Sequence, residues 1–132
     1  MMELTPGLKG FAEAEVVFEN TAAAVGSGAL EVFATPSMIA LMEKAALESV
    51  QPLLEPGQST VGTELKVSHL AATPMGMTVR AESELTAVDG RVLSFKVAAW
   101  AGEELIGEGE HKRCIVYTER FMAKAAAKRQ KS

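Results

Sequence analysis

One segment constrains this chain more than any other: residues 36–53 read as a long helix with almost no polar side. Thr35 is a residue type that caps helices. Pro36 suits the first helical position, where its missing N–H would have no partner in any case. Glu55-Pro56-Gly57 ends the run. At about 100° per residue, Met38, Met42, Ala45 and Ala46 form one apolar face, with Ile39 and Val50 at its margin. Ala40 and Leu41 widen that face until only a narrow Lys44/Glu48 stripe is left for water. Such a helix has to be covered on most of its circumference.

The remaining sequence supplies strands to cover it. Residues 11–18 alternate, with Ala12, Ala14, Val16 and Phe18 directed inward. Residues 59–70 set Val61, Thr63, Leu65 and Val67 against Glu64, Lys66 and Ser68, and residues 77–88 set Met77, Val79, Ala81 and Leu85 inward. Strands at 91–101 and 105–117 follow. Thr73-Pro74-Met75-Gly76, Asp89-Gly90 and Gly102-Glu103-Glu104 are turn signals. The small-residue stretch 20–28 reads as a loop or lid, and the Ala/Lys-rich segment 118–132 as a tail with a short helix. The expected fold is α+β, one domain over residues 1–132: a strand, a buried helix, then four sequential antiparallel strands in a curved meander around that helix. An open sheet leaves bare edges that pairing with a second copy would cover, so a homodimer is expected.

Charge and composition exclude several classes. A net charge of −4 argues against nucleic-acid binding through backbone electrostatics. No run of about 18 apolar residues and no leader pattern is present, so neither a membrane span nor secretion is expected. The single cysteine, Cys114, rules out an intrachain disulfide and favours a reducing, cytoplasmic setting. Residues 124–132 carry four cations and no anion, read as a solvated, frayed tail. There is no CxxC, HExxH, GxGxxG, P-loop or GxSxG, so no metal or other cofactor is expected.

Polar residues in apolar positions remain. Glu43 has Ile39, Ala40, Ala46 and Leu47 as its helical neighbours and lies away from the Lys44/Glu48 stripe. A carboxylate there costs several kcal/mol unless it finds partners, either in a site or at a subunit rim. His69 falls on the apolar side of its strand, as a satisfied core residue or as a catalyst. His111 and Arg113, two apart, share a side of the last strand and read as structural, forming an ion pair or meeting the Glu-rich surface.

Taken in order, Val32-Phe33-Ala34-Thr35, Met42-Glu43, Leu54-Glu55-Pro56-Gly57, Val61-Gly62-Thr63, Val67-Ser68-His69 and Ala71-Ala72-Thr73-Pro74 resemble the fluoroacetyl-CoA thioesterase family of hotdog-fold proteins. The likeness continues through Gly109-Glu110-His111-Lys112-Arg113 and residues 119–124, covering most of the chain. It implies a hotdog fold, an antiparallel sheet wrapped around one long helix. It implies also a homodimer with active sites at the subunit interface, an acyl-CoA substrate and thioester hydrolysis. The family's catalytic Thr, Glu and His would fall on Thr35, Glu43 and His69. Its carbonyl-polarising Gly would fall on Gly62, and an Arg near the ligand on Arg113. The departure is in the lid. Where fluoroacetyl-specific members carry bulky aromatics, this chain has Val25-Gly26-Ser27-Gly28-Ala29-Leu30. A general short- or medium-chain acyl-CoA thioesterase is therefore expected over a fluoroacetyl-specific one. A non-catalytic acyl-CoA sensor and an acyl-CoA hydratase are the rivals; the hydratase's Asp/His motif is absent.

Overall fold

The computed structural model describes residues 3–130. Its elements are β1 (Lys9–Glu15), α1 (Ala22–Val25), α2 (Thr35–Val50), β2 (Gln58–His69), β3 (Thr78–Asp89), β4 (Val92–Ala101), β5 (Glu104–Tyr117) and α3 (Thr118–Ala127). Single turns of 3₁₀ helix lie at Phe18–Asn20, Gln51–Leu53 and Lys128–Gln130. Helix α2 buries Met38, Leu41, Met42, Ala45, Ala46 and Val50 against β1, β3, β4 and β2. Truncating a fully buried side chain such as Met42 to Ala would cost about 2–5 kcal/mol. The approach is close. A Cβ on Gly10 of β1 would strike the Ala45 carbonyl oxygen and lie 2.7 Å from Ser49 Cβ, so only glycine lets this strand press against the helix.

The described residues form a five-stranded antiparallel sheet in the order β1-β3-β4-β5-β2. This corrects the expected sequential meander. Only β3-β4-β5 run in sequence, joined at Gly90 and Gly102, both with positive φ. Strand β2 sits at the far edge beside β5, and the segment after it crosses to the other side of the sheet. Thr73-Pro74-Met75-Gly76 is therefore a crossover and not a hairpin turn. It is held by the Val32–Pro74 bridge, by Phe33 N donating to the Thr73 carbonyl, and by Gly76 N donating to the Val16 carbonyl. Periodicity within a strand carries no information about its neighbour, so alternation alone does not place β2 in the sheet.

Other local expectations are also corrected. Strand β1 ends at Glu15, leaving Phe18 in a 3₁₀ turn and exposed, and Met77 is exposed where the crossover joins β3. A bulge between Gly62 and Glu64 makes Thr63 the extra residue and shifts the inward phase of β2. Before it Thr60 and not Val61 is buried; after it Leu65, Val67 and His69 are partly covered. The predicted lid contains a short helix, α1, capped by Thr21 and closed by Gly26 at φ 83°. The basic tail is not frayed from Lys124, since α3 runs to Ala127; its last two residues lie outside the described ones.

Candidate active site

Thr35 opens α2, but its hydroxyl does not cap the helix. Ala34 occupies the capping position, in extended conformation, and its carbonyl accepts the first helical bond from Met38 N at 2.9 Å. The freed Thr35 Oγ1 lies 2.7 Å from His69 Nδ1, at the last residue of β2. Burial lowers the His69 pKa below the ordinary histidine value, and the Ala71 backbone offsets part of that drop. His69 is thus neutral near pH 7. Its Nε2 is buried without a hydrogen-bond partner, an atom equipped to meet one more group. Beside the pair lies a cavity of about 350 Å³, lined by Ala22, Ser27, Ala71 and Ala72 together with the larger Val32, Phe33 and Leu70.

Two helical turns further along α2, Glu43 forms a second group. It is not buried as expected: its side chain is 36% exposed, on the side of the free edge of β2. Its carboxylate lies over Gly62, where a Cβ would strike Oε2. Arg113 Nη1 approaches the same Oε2 at 3.4 Å. Arg113 points inward from β5, 5% exposed, and its guanidinium is pinned by Thr60: Nε donates to Oγ1 at 2.8 Å and Nη2 to the carbonyl at 3.0 Å. Burial draws the Arg113 pKa down and Glu43 opposes the shift; guanidinium stays protonated throughout. His111 completes the group, 3.1 Å from Arg113 Nη1. Neither His111 nor Arg113 meets the Glu-rich surface; both turn to the helix.

The five residues singled out from the sequence thus fall into two groups within one protomer. Thr35 and His69 are in contact, and Glu43, Gly62 and Arg113 are in contact. Eight helical residues, about 12 Å along the axis, separate Thr35 from Glu43. Sequence reading missed Thr60, whose burial depends on the bulge phase, and set His111 aside as structural. A glycine inside the strand, Gly62, was the available signal for the first. Among the described residues no three His, Cys, Asp or Glu side chains gather as metal ligands.

Known proteins share this sequence pattern and this fold. The family model for fluoroacetyl-CoA-specific thioesterase matches residues 16–119. A fluoroacetyl-CoA thioesterase of Streptantibioticus cattleyicolor is 47% identical over 98 residues, covering 74% of this chain and 70% of that protein. A solved mutant of the fluoroacetyl-CoA-specific thioesterase aligns over 100% of both chains at 38% identity, with a TM-score of 0.90. A Thermus thermophilus hypothetical protein, a thioesterase superfamily member, aligns over 99% of this chain and 97% of that one at 26% identity, TM-score 0.90. A hot-dog-like protein from Thermanaerovibrio acidaminovorans, 22% identical over 93% of this chain and 91% of that one, shares the fold with a TM-score of 0.84. By sequence and by fold, the chain belongs to the fluoroacetyl-CoA-specific thioesterase family of hotdog proteins.

Proposed function

We propose that this protein hydrolyses short- and medium-chain acyl-CoA thioesters as a homodimer, with each active site shared between two protomers. One observation carries the reading: a carboxylate, Glu43, poised over a glycine backbone at an open sheet edge and steadied by a buried arginine. Strand β2 is that edge. Antiparallel pairing of two β2 strands about a two-fold axis between Leu65 and Lys66 sets Gly62 opposite the partner's His69. The Thr35/His69 group of one protomer then faces the Glu43/Gly62 group of the other. Glu43 is 36% exposed in the single protomer, which a purely sensing role would allow; the proposed pairing would cover it.

The chemistry follows from the groups assembled. Glu43 either takes a proton from a water attacking the thioester carbon or attacks that carbon itself, the anhydride then being hydrolysed. The carbonyl oxygen, turning anionic, is met by the Gly62 N–H, which the missing side chain leaves approachable. As the C–S bond breaks, the CoA thiolate takes up a proton from Glu43 or from solvent, relayed or oriented by the neutral His69, whose ring Thr35 holds in place. Arg113 keeps a positive charge beside Glu43. The lid segment before Val32 carries no aromatic residue, which suits acyl groups longer than fluoroacetyl. A reducing cytoplasm suits the free Cys114.

The test is Glu43→Gln, which keeps shape and removes charge. Turnover of acetyl- and butyryl-CoA, followed by free thiol, should fall at least about 10²-fold in a folded protein. Turnover near that of the unaltered protein would overturn the assignment. Light scattering at micromolar concentration should give about twice the chain mass; an active monomer would exclude the shared site.

A further inference from the structure

His111 is 1% exposed, more deeply buried than Arg113 or Thr60 beside it, and the chemistry above leaves it without a task. Its surroundings dictate its state. Nδ1 lies 2.9 Å from the Glu64 carbonyl oxygen, which only accepts, so Nδ1 carries the proton. Nε2 then holds a lone pair and accepts from Arg113 Nη1, which only donates, at 3.1 Å. Phe95 of β4 packs on the ring with centroids 6.0 Å apart. The charged groups acting on the imidazole are Arg113 from its own strand and Glu43 from α2; β2 presents a backbone carbonyl and β4 an aromatic ring. A neutral ring satisfies every contact. An imidazolium would turn Nε2 into a donor facing a guanidinium.

Arg113 is thereby held on three sides: Nε and Nη2 by Thr60, and Nη1 by His111. What remains of Nη1 is aimed at Glu43. We propose that His111 is a positioning residue for the hydrolysis: as the neutral Nδ1–H tautomer it locks the Arg113 guanidinium in the orientation that holds Glu43 over Gly62, and protonating it releases the lock. The proposal rests on Glu43 being the reacting carboxylate.

Burial, ahead of Arg113, keeps His111 below the ordinary histidine range, while the Glu64 carbonyl and Glu43 pull the other way. The lock is therefore closed near neutral pH and opens under acid. Two substitutions separate positioning from packing. His111→Phe keeps a ring against Phe95 and loses both nitrogens. His111→Gln can place its carboxamide oxygen where Nε2 accepts, and it cannot titrate. With acetyl-CoA, the Phe variant should lose about 10²-fold in kcat with KM nearly unchanged, the size of effect expected when a reacting group is misplaced by about 1 Å. The Gln variant should recover most of that loss and keep working at lower pH than the unaltered protein. His69 is common to both, so its titration cancels in the comparison.

Long-range ¹⁵N–¹H spectra of the intact protein give a readout independent of turnover. Assigned by difference from His111→Gln, since the chain has two histidines, His111 should show a protonated Nδ1 and a bare Nε2 near neutral pH. An Nε2–H tautomer, a Phe variant with full kcat, a Gln variant as slow as the Phe variant, or an acid limb that Gln does not move would each overturn the proposal. Should the Phe variant fail to fold, the tautomer and the Gln acid limb still decide it. Should Glu43→Gln retain turnover, the assigned reaction fails, while the tautomer spectrum still reports whether the lock exists.

Discussion

Substituting Gly62 by alanine should remove activity while leaving the fold intact. The backbone at Gly62 lies outside the left-handed region, so alanine adopts it without strain. The added Cβ would strike Glu43 Oε2 and lie 3.2 Å from His111 Cε1 and 3.5 Å from Arg113 Nη1. Of these neighbours only Glu43 can give way, because it ends a flexible, half-exposed side chain, whereas the other two are buried and hydrogen-bonded. Crowding a packed site costs about 1–3 kcal/mol. Glycine-to-alanine replacement recovers about 0.4–1 kcal/mol by restricting the unfolded chain. The net cost should be small, a fall in Tm of a few degrees. The carboxylate, however, must leave Arg113 and its place over the backbone, and a shift of about 1 Å is enough to cost about 10²-fold in turnover. Gly109→Ala is the contrast. Its Cβ would strike the Lys66 carbonyl oxygen and lie 2.6 Å from Val67 Cα, both backbone atoms of β2, which cannot retreat without parting from β5. That variant should lose stability first. Thermal unfolding and thiol release from acetyl-CoA, measured on both variants, check the pair. A Gly62→Ala protein with ordinary turnover, or one as destabilised as Gly109→Ala, would refute the reasoning.

Thr35→Val should barely change stability, since the hydroxyl caps nothing and is exposed, yet turnover should drop by at least about tenfold as His69 loses its partner; equal turnover would refute the Thr35–His69 pairing. Burial lowers the pKa of both His69 and His111, so below about pH 6.5 the unfolded chain takes up protons that the folded one refuses. Stability should therefore fall as pH drops from 6.5 towards the folded pKa values, with no histidine contribution above it. Urea midpoints between about pH 7.5 and 5.5 measure this, and a flat profile would contradict it. Without an aromatic lid, kcat/KM for fluoroacetyl-CoA over acetyl-CoA should not exceed about 200, the most that a contact worth about 1–3 kcal/mol allows. A ratio above a thousand would overturn this reading of the lid and make the protein fluoroacetyl-CoA-specific.

The amino-acid sequence by itself determines the local features of this protein. The apolar circumference of α2, the alternation of each strand and the Gly90 and Gly102 turns all follow from side-chain period and backbone preference, which act within a few residues. The position of Glu43 among apolar neighbours is legible for the same reason. Three features are decided only by distant contacts. The partner of β2 is β5 and not β3, because pairing depends on which edges meet across the whole chain. Thr35 serves His69, 34 positions away, and not its own helix end, because Ala34 already accepts the first helical bond. Thr60 lies beneath the Arg113 guanidinium because a single extra residue, Thr63, shifts the inward phase of β2. A strand's period shows which residues share a face; a bulge changes which face that is, and the bulge exists only once β2 and β5 are paired.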